Sequence, residues 1–164
     1  MTEFTQYRDN LLSTSGEVAA FYEREFYAFS NFSSFMVEWQ GEVWPTSEHA
    51  YQAARYYEVA PEYSQQILTM KSAHEAYSFM RHNRQAERPD WFNEKRALMK
   101  DIVRCKLQQH PYIQKKLLET GSATIVEDSP VDSYWGWGKD RQGRNELGKI
   151  WMELRKELQS GKIK

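Results

Sequence analysis

Two carboxylates sit where they could act on a substrate. Glu48 lies in Trp44-Pro45-Thr46-Ser47-Glu48-His49. Pro45 blocks a helix from behind and pushes Trp44 to extended geometry. Thr46 or Ser47 then offers a hydroxyl to the free N–H groups of a first helical turn, and Ala50, Tyr51, Ala53 and Ala54 carry the helix onward. Glu48 falls at the positive end of the helix dipole, which favours a carboxylate over the acid. A carboxylate fixed there, with an aromatic just before it, can stabilise a developing cation or orient a water. The same position also suits an acid with no chemical role, because first-turn acids stabilise helix starts on their own. The second carboxylate is Asp132. Cleavage of a glycosidic bond needs one group to stabilise an oxocarbenium-like sugar or activate water, and another to orient water or handle the proton. Pairing Glu48 with Asp132 is an expectation, since nothing local shows that they meet.

Asp132 opens a stretch of unusual composition. It holds flat stacking surfaces (Tyr134, Trp135, Trp137), glycines (Gly136, Gly138, Gly143) and cations (Lys139, Arg141, Arg144), and it runs into a helix start at Asn145. Glycines admit backbone N–H groups to a phosphate, cations neutralise it, and a helix N-terminus adds attraction. The spacing matches neither a Walker loop nor a GxGxxG fingerprint. A ligand loop and a twisted solvent loop pinned by buried tryptophans fit the composition equally. Asn31, in Phe29-Ser30-Asn31-Phe32, either binds a ligand through its amide or ties its own turn. Trp91, at a helix start, is a pocket wall or a packing anchor. His49, His74, His82 and His110 lack metal-ligand spacing and read as structural.

The elements that must position these residues follow from periodicity. A strand is expected at Ala19 to Tyr22 and a hairpin at Phe35 to Trp44, turning at Gln40-Gly41. Helices are expected from Thr46 to about Ala60, Pro61 to Met70, Ser72 to His82, Trp91 to Gln109 with Asp90 as its cap, and Pro111 to Gly121. In the long helix, Leu98, Ile102 and Cys105, with Met99 and Val103 beside them, form the expected apolar stripe. Ala123 to Glu127 reads as a short strand. A final helix capped by Asn145 carries Leu147, Ile150, Trp151, Leu154 and Leu158 at helical spacing. Residues 1–17 read as a polar lead-in with a short helix over Gln6 to Leu12, and 18–164 as a single domain. The tail from Ser160 is expected to fray.

With 164 residues, the chain is long enough for one real core. One cysteine excludes an internal disulfide and a cysteine-based metal site. No apolar run spans a membrane and the polar start lacks a signal h-region, so a cytoplasmic location is expected. A net charge of −1, from 22 basic and 23 acidic residues, argues against non-specific nucleic-acid binding. Aromatics reach 15%, and those beside Gly, Asp and Asn suit the walls of a stacking pocket.

Taken together, these stretches resemble the YbiA-like, or NADAR, family. The matching pieces are Phe21-Tyr22, Phe29 to Phe32, Trp44 to Ala53, Trp91 with Lys95, Asp132 to Gly136, and Gly143 to Arg155, in the family's order. The resemblance implies an α+β fold, mainly α-helical, compact, with a few short strands. It implies a metal-independent N-glycosidase without cofactor, acting on a small phosphoribosylated molecule. In YbiA-like members that molecule is a phosphoribosylaminopyrimidine intermediate of riboflavin biosynthesis, which releases ribose 5-phosphate. Other members are associated with removing ADP-ribose from guanine bases, the one case that would bring in nucleic acid; a non-catalytic module for ADP-ribose or NAD is a further alternative. Glu48 and Asp132 would be catalytic. Substrate would be bound by Phe29, Ser30, Asn31, Trp44, Arg81, Trp91, Tyr134, Trp135, Lys139, Arg144 and Asn145. Arg81 matches a family arginine, with Met80 where the pattern carries glycine. The resemblance makes Glu48 functional rather than merely structural, and predicts that it shares a cavity with Asp132, Trp91 and Trp135.

Overall fold

The computed structural model describes residues 18–22 and 24–164; the expected helix over Gln6 to Leu12 and the lead-in lie outside them. In chain order the elements are β1 (Val18–Phe21), a 3-10 helix (Arg24–Phe29), β2 (Val37–Trp39) and β3 (Glu42–Trp44). Then follow α1 (Ser47–Ala54), α2 (Pro61–Leu68), α3 (Ala73–His82), a 3-10 turn (Arg84–Ala86), α4 (Trp91–Gln109) and α5 (Pro111–Glu119). β4 (Thr124–Glu127) and α6 (Glu146–Gln159) complete the chain. The fold is α+β and mainly helical, with one parallel and one antiparallel strand pair among the described residues. Contacts divide it into two compact units: Asn31–His110, and the chain up to Ser30 together with Pro111–Lys164.

The Asn31–His110 unit begins with the hairpin. Gln40 and Gly41 both take positive φ, 53° and 77°, the geometry of a two-residue turn whose twist matches the paired strands. β2 pairs antiparallel with β3, Val37 opposite Trp44. β3 leads into α1, every residue of which is buried. α1 packs on α2, α3 and α4, so it is the central helix of its unit. Proline at its first position starts α2 without losing a hydrogen bond, and the Ser72 hydroxyl caps α3 by accepting from Glu75 N–H at 3.1 Å.

Two expectations for α4 change. Its buried face is Met99, Ile102, Val103, Lys106 and Leu107, while Leu98 and Cys105 are only half-buried. The stripe is thus rotated, and a lysine takes the place expected of the thiol. Asp90 occupies the cap position without capping: its carboxylate accepts from Arg88 Nε and Nη2 at 2.6 and 2.9 Å. A charged partner two residues away outcompetes the helix N–H groups.

In the other unit, β1 lies parallel to β4 with Val18 beside Thr124 and Phe21 beside Glu127. α6 packs against β4 and α5 through Leu147, Ile150, Trp151 and Leu154, all buried. Full burial of each such side chain contributes about 1.5–3 kcal/mol. Gly148 faces the strand so closely that a Cβ there would run into Ile125 O and the Asn145 amide. The tail is tied down. Gly161 turns at φ +75°, Lys162 N–H donates to Glu157 O at 2.9 Å, and Ile163 is 4% exposed. That turn returns an apolar residue to the helix it follows, which is why the tail does not fray.

Candidate active site

Glu48 is positioned by the way α1 begins. Thr46 is extended, and its hydroxyl oxygen accepts from His49 N–H at 3.2 Å. The Thr46 hydroxyl also meets His49 Nδ1 at 2.8 Å, while His49 Nε2 lies 3.1 Å from Met70 O. A carbonyl only accepts, so Nε2 carries the proton and Nδ1 takes the hydroxyl's. Burial pushes the imidazole pKa below its ordinary value. His49 is therefore a neutral structural bridge. The Glu48 N–H donates to Asn31 O at 3.1 Å, and Ser47 Oγ donates to Asn31 Oδ1 at 3.0 Å. Asn31 Nδ2 reaches Met99 Sδ at 3.3 Å. Asn31 thus ties down the start of α1 rather than its own turn.

The Glu48 side chain is 5% exposed, and its Oε1 accepts from Gln52 Nε2 at 2.6 Å. Gln52 Oε1 accepts in turn from Arg55 Nε at 2.7 Å. The Arg55 guanidinium lies 4.4 Å from the Trp91 ring centroid, and Tyr51 leans on the same indole at 5.1 Å. Trp91 is thereby linked to Glu48 through two side chains. Sequence reasoning missed Gln52 and Arg55. Their signal was available: positions 48, 52 and 55 share one helical face. Trp44 is fully buried, its Nε1 donating to Trp39 O at 3.0 Å, so it anchors the lead into α1 and offers no surface to a ligand. Arg81 is exposed in the last turn of α3.

Asp132 and its neighbours belong to the other unit. Asp132 Oδ1 accepts from the N–H groups of Tyr134 and Trp135 at 2.9 and 2.7 Å, and its own N–H donates to Ser129 Oγ at 3.0 Å. One carboxylate oxygen therefore shapes the turn that presents both rings. Tyr134 and Trp135 are half-buried and meet edge to face at 4.7 Å. Arg144 covers Tyr134 at 4.7 Å and pairs with buried Glu146 at 3.1 Å; Lys149 reaches the same carboxylate at 3.6 Å. Trp137 is pinned through Nε1 to buried Asp128 at 2.8 Å. So the loop contains both features that composition left open, a pinned tryptophan and half-buried rings with cations beside them.

Asn145 stands at the cap position of α6 in the left-handed region, φ 53°, and its side chain does not cap. Oδ1 accepts from Glu127 N–H at 3.0 Å and Nδ2 donates to Ile125 O at 2.9 Å, extending the ladder of β4. The N–H groups of Glu146 and Leu147 donate to Tyr134 O and Trp135 O, both at 3.0 Å. Loop carbonyls and the Glu146 carboxylate thus occupy the helix start expected to receive a phosphate. Lys139 and Arg144 stay exposed nearby in sequence. Phe29 is fully buried against Phe26, Phe21 and Trp151, its carbonyl accepting from Trp151 Nε1 at 3.1 Å. Ser30 is also buried, with its N–H on Tyr27 O at 2.9 Å. Among the described residues, no three of His, Cys, Asp or Glu gather as a metal-binding group. None of the described helices is long and apolar enough to cross a membrane.

Known proteins share this architecture. The chain is 35% identical over 130 residues to N-glycosidase YbiA of Shigella boydii, covering 79% of this chain and 80% of that protein. It is 36% identical over 146 residues to a maize protein named riboflavin biosynthesis protein PYRR, chloroplastic, covering 81% of this chain but only 23% of the larger protein. The NMR structure of the E. coli protein YbiA matches with a TM-score of 0.82 at 33% identity, covering 92% of this chain and 90% of that one. The NADAR domain profile matches residues 20–159, all of the Asn31–His110 unit and most of the other, and the chain belongs to the NADAR family.

Proposed function

We propose that this protein is an N-glycosidase whose carboxylate at the start of α1 acts at the anomeric carbon of a ribosyl group. The observation that carries the reading is Glu48 itself. It is buried and set in the first turn of α1, with one oxygen held by Gln52. Relatives named N-glycosidase, which the chain matches over 79% of its length, support it. In the reaction, the bond from the anomeric carbon to nitrogen breaks and the electron pair leaves with the base. Water adds to the carbon, and its proton ends on the departing nitrogen. Glu48 stabilises the positive charge on the ribosyl carbon or takes the water's proton. Asp132 contributes the oxygen its turn does not use, orienting water or a ribose hydroxyl. Tyr134 and Trp135 offer rings for the base, and Lys139 and Arg144 offer charge to a phosphate.

The substrate we assign is a phosphoribosylaminopyrimidine, with ribose 5-phosphate as product. Relatives named for riboflavin biosynthesis support that class. The test sets this compound beside ADP-ribosylated guanosine and reads released sugar and base by chromatography. Turnover of the pyrimidine, lost in Glu48→Gln with binding retained, is the expected result. Turnover of the guanosine alone would transfer the assignment to ADP-ribosylated bases. Binding without turnover of either would leave a binding module and end the enzyme reading.

A further inference from the structure

Arg55 caps the C-terminal end of α1; it is 9% exposed and engaged on several sides. Its Nη1 donates to Glu87 Oε2, and its guanidinium lies over Trp91 at 4.4 Å and Tyr51 at 5.6 Å. The segment carrying Glu87 is itself fastened to the helix end, since Arg88 N–H donates to Arg55 O at 2.9 Å. The remaining contact, Nε to Gln52 Oε1, decides something further. A carboxamide has two ends of nearly equal shape, one accepting and one donating, and by itself can present either. A guanidinium only donates. The end of Gln52 that faces Arg55 must be the oxygen, because turning the amide would set N–H against N–H. Its amino group is then directed at Glu48, where the 2.6 Å contact lies.

We infer that Gln52 and Arg55 are positioning residues, in which Arg55, anchored by Glu87 and Trp91, orients the Gln52 amide so that it donates to Glu48 and holds that carboxylate in register for its reaction. The inference rests on the proposed role of Glu48. In this role both residues act through Glu48, and the face of Trp91 under Arg55 belongs to the same support. Substituting either residue then weakens the chemical step while substrate binding is kept.

The test measures kcat and KM on the phosphoribosylaminopyrimidine and on ADP-ribosylated guanosine, with far-UV circular dichroism and melting temperature for every variant. Arg55→Met frees the amide, and kcat is expected to fall about 10- to 100-fold with KM within about threefold. Arg55→Lys still only donates but loses the planar stack on Trp91, so its kcat is expected to fall between those of Arg55→Met and wild type. Gln52→Glu keeps the shape and sets two acceptors face to face, lowering kcat about 100-fold or more. It carries the test if Arg55→Met does not fold. Wild-type kcat in Gln52→Glu, or Arg55→Lys as impaired as Arg55→Met, overturns the inference. Glu48→Gln separates the two levels: if it is inactive while Gln52→Glu and Arg55→Met are fully active, only the positioning role falls. If Glu48→Gln is itself active, the role of Glu48 falls and the positioning role with it.

Discussion

Lys106 offers a direct test of the core of the Asn31–His110 unit. It is fully buried on α4, its Nζ donates to Ser33 Oγ at 2.9 Å, and it lies 5.6 Å from the Phe35 ring. Burial pushes its pKa down from 10.5 to about 7. In the unfolded chain the lysine binds a proton below 10.5, and in the native protein only below about 7. Between those values the unfolded state holds more protons, so stability rises with pH, by up to about 1.4 kcal/mol per pH unit. Below about 7 both states are protonated and the term is flat. The whole depression corresponds to roughly 5 kcal/mol. Lys106→Met keeps the unbranched stem and removes the titrating group. Urea unfolding from about pH 6 to about pH 9.5 should show wild-type stability climbing relative to the variant. Cys105 and Tyr56, whose pKa values burial raises, act oppositely at the top of that range, but they are common to both proteins and cancel in the difference. Parallel curves for the two proteins would refute the reasoning, since they would mean that Lys106 binds its proton equally well folded and unfolded.

Three further outcomes follow from the other unit. Gly148→Ala, which in an ordinary helix would stabilise by about 1 kcal/mol, should lower the melting temperature, with a loss of about 2 kcal/mol or more, because the added carbon meets Ile125 O. Asn145→Ala should cost about 2–3 kcal/mol in denaturant unfolding, through two lost hydrogen bonds to β4 and a left-handed backbone without Asn or Gly; Asn145→Gly should recover the backbone part. Asp132→Asn keeps an oxygen for the N–H groups of Tyr134 and Trp135, so it should retain wild-type tryptophan fluorescence and lose turnover, whereas Asp132→Ala should change both. Full turnover in Asp132→Asn would show that its charge is not used.

The features legible in the sequence are those whose causes are local. Gln40-Gly41 announces its turn, Thr46 and Ser72 accept from the helices they precede, and the proline starts of α2 and α5 lie where they were expected. The readings that shifted concern side chains with a choice of partner. Asp90 and Asn145 both stand at helix starts, yet one is captured by Arg88 and the other by a strand some 20 residues away in sequence. No local pattern ranks those competitors. Lys106 was overlooked because a lysine on a helix reads as solvent-facing, although its long stem can fill an apolar layer. For the candidate site, Glu48 and its helix start were visible, and so was the face shared by positions 48, 52 and 55, but not what that face is braced against. Gln52 and Arg55 gain their meaning only when Glu87 and Trp91 are brought against them.

The pairing of Val18 with Thr124 bears on how the chain acquires its structure during synthesis. The unit that holds Glu48 is one uninterrupted stretch, Asn31–His110, whose contacts become available as soon as that stretch has left the ribosome. The other unit is discontinuous. Its first strand is made early and must wait for β4, roughly a hundred residues later, and β4 in turn for α6 to pack on it. Closing so long a loop is entropically slow compared with local helix pairing. Translation therefore favours vectorial assembly, with the support for Glu48 formed first and the Asp132 loop last. Mutations in β4 or α6 should accordingly burden the late step, leaving a nascent species with its β1 edge unpaired and prone to strand-mediated association.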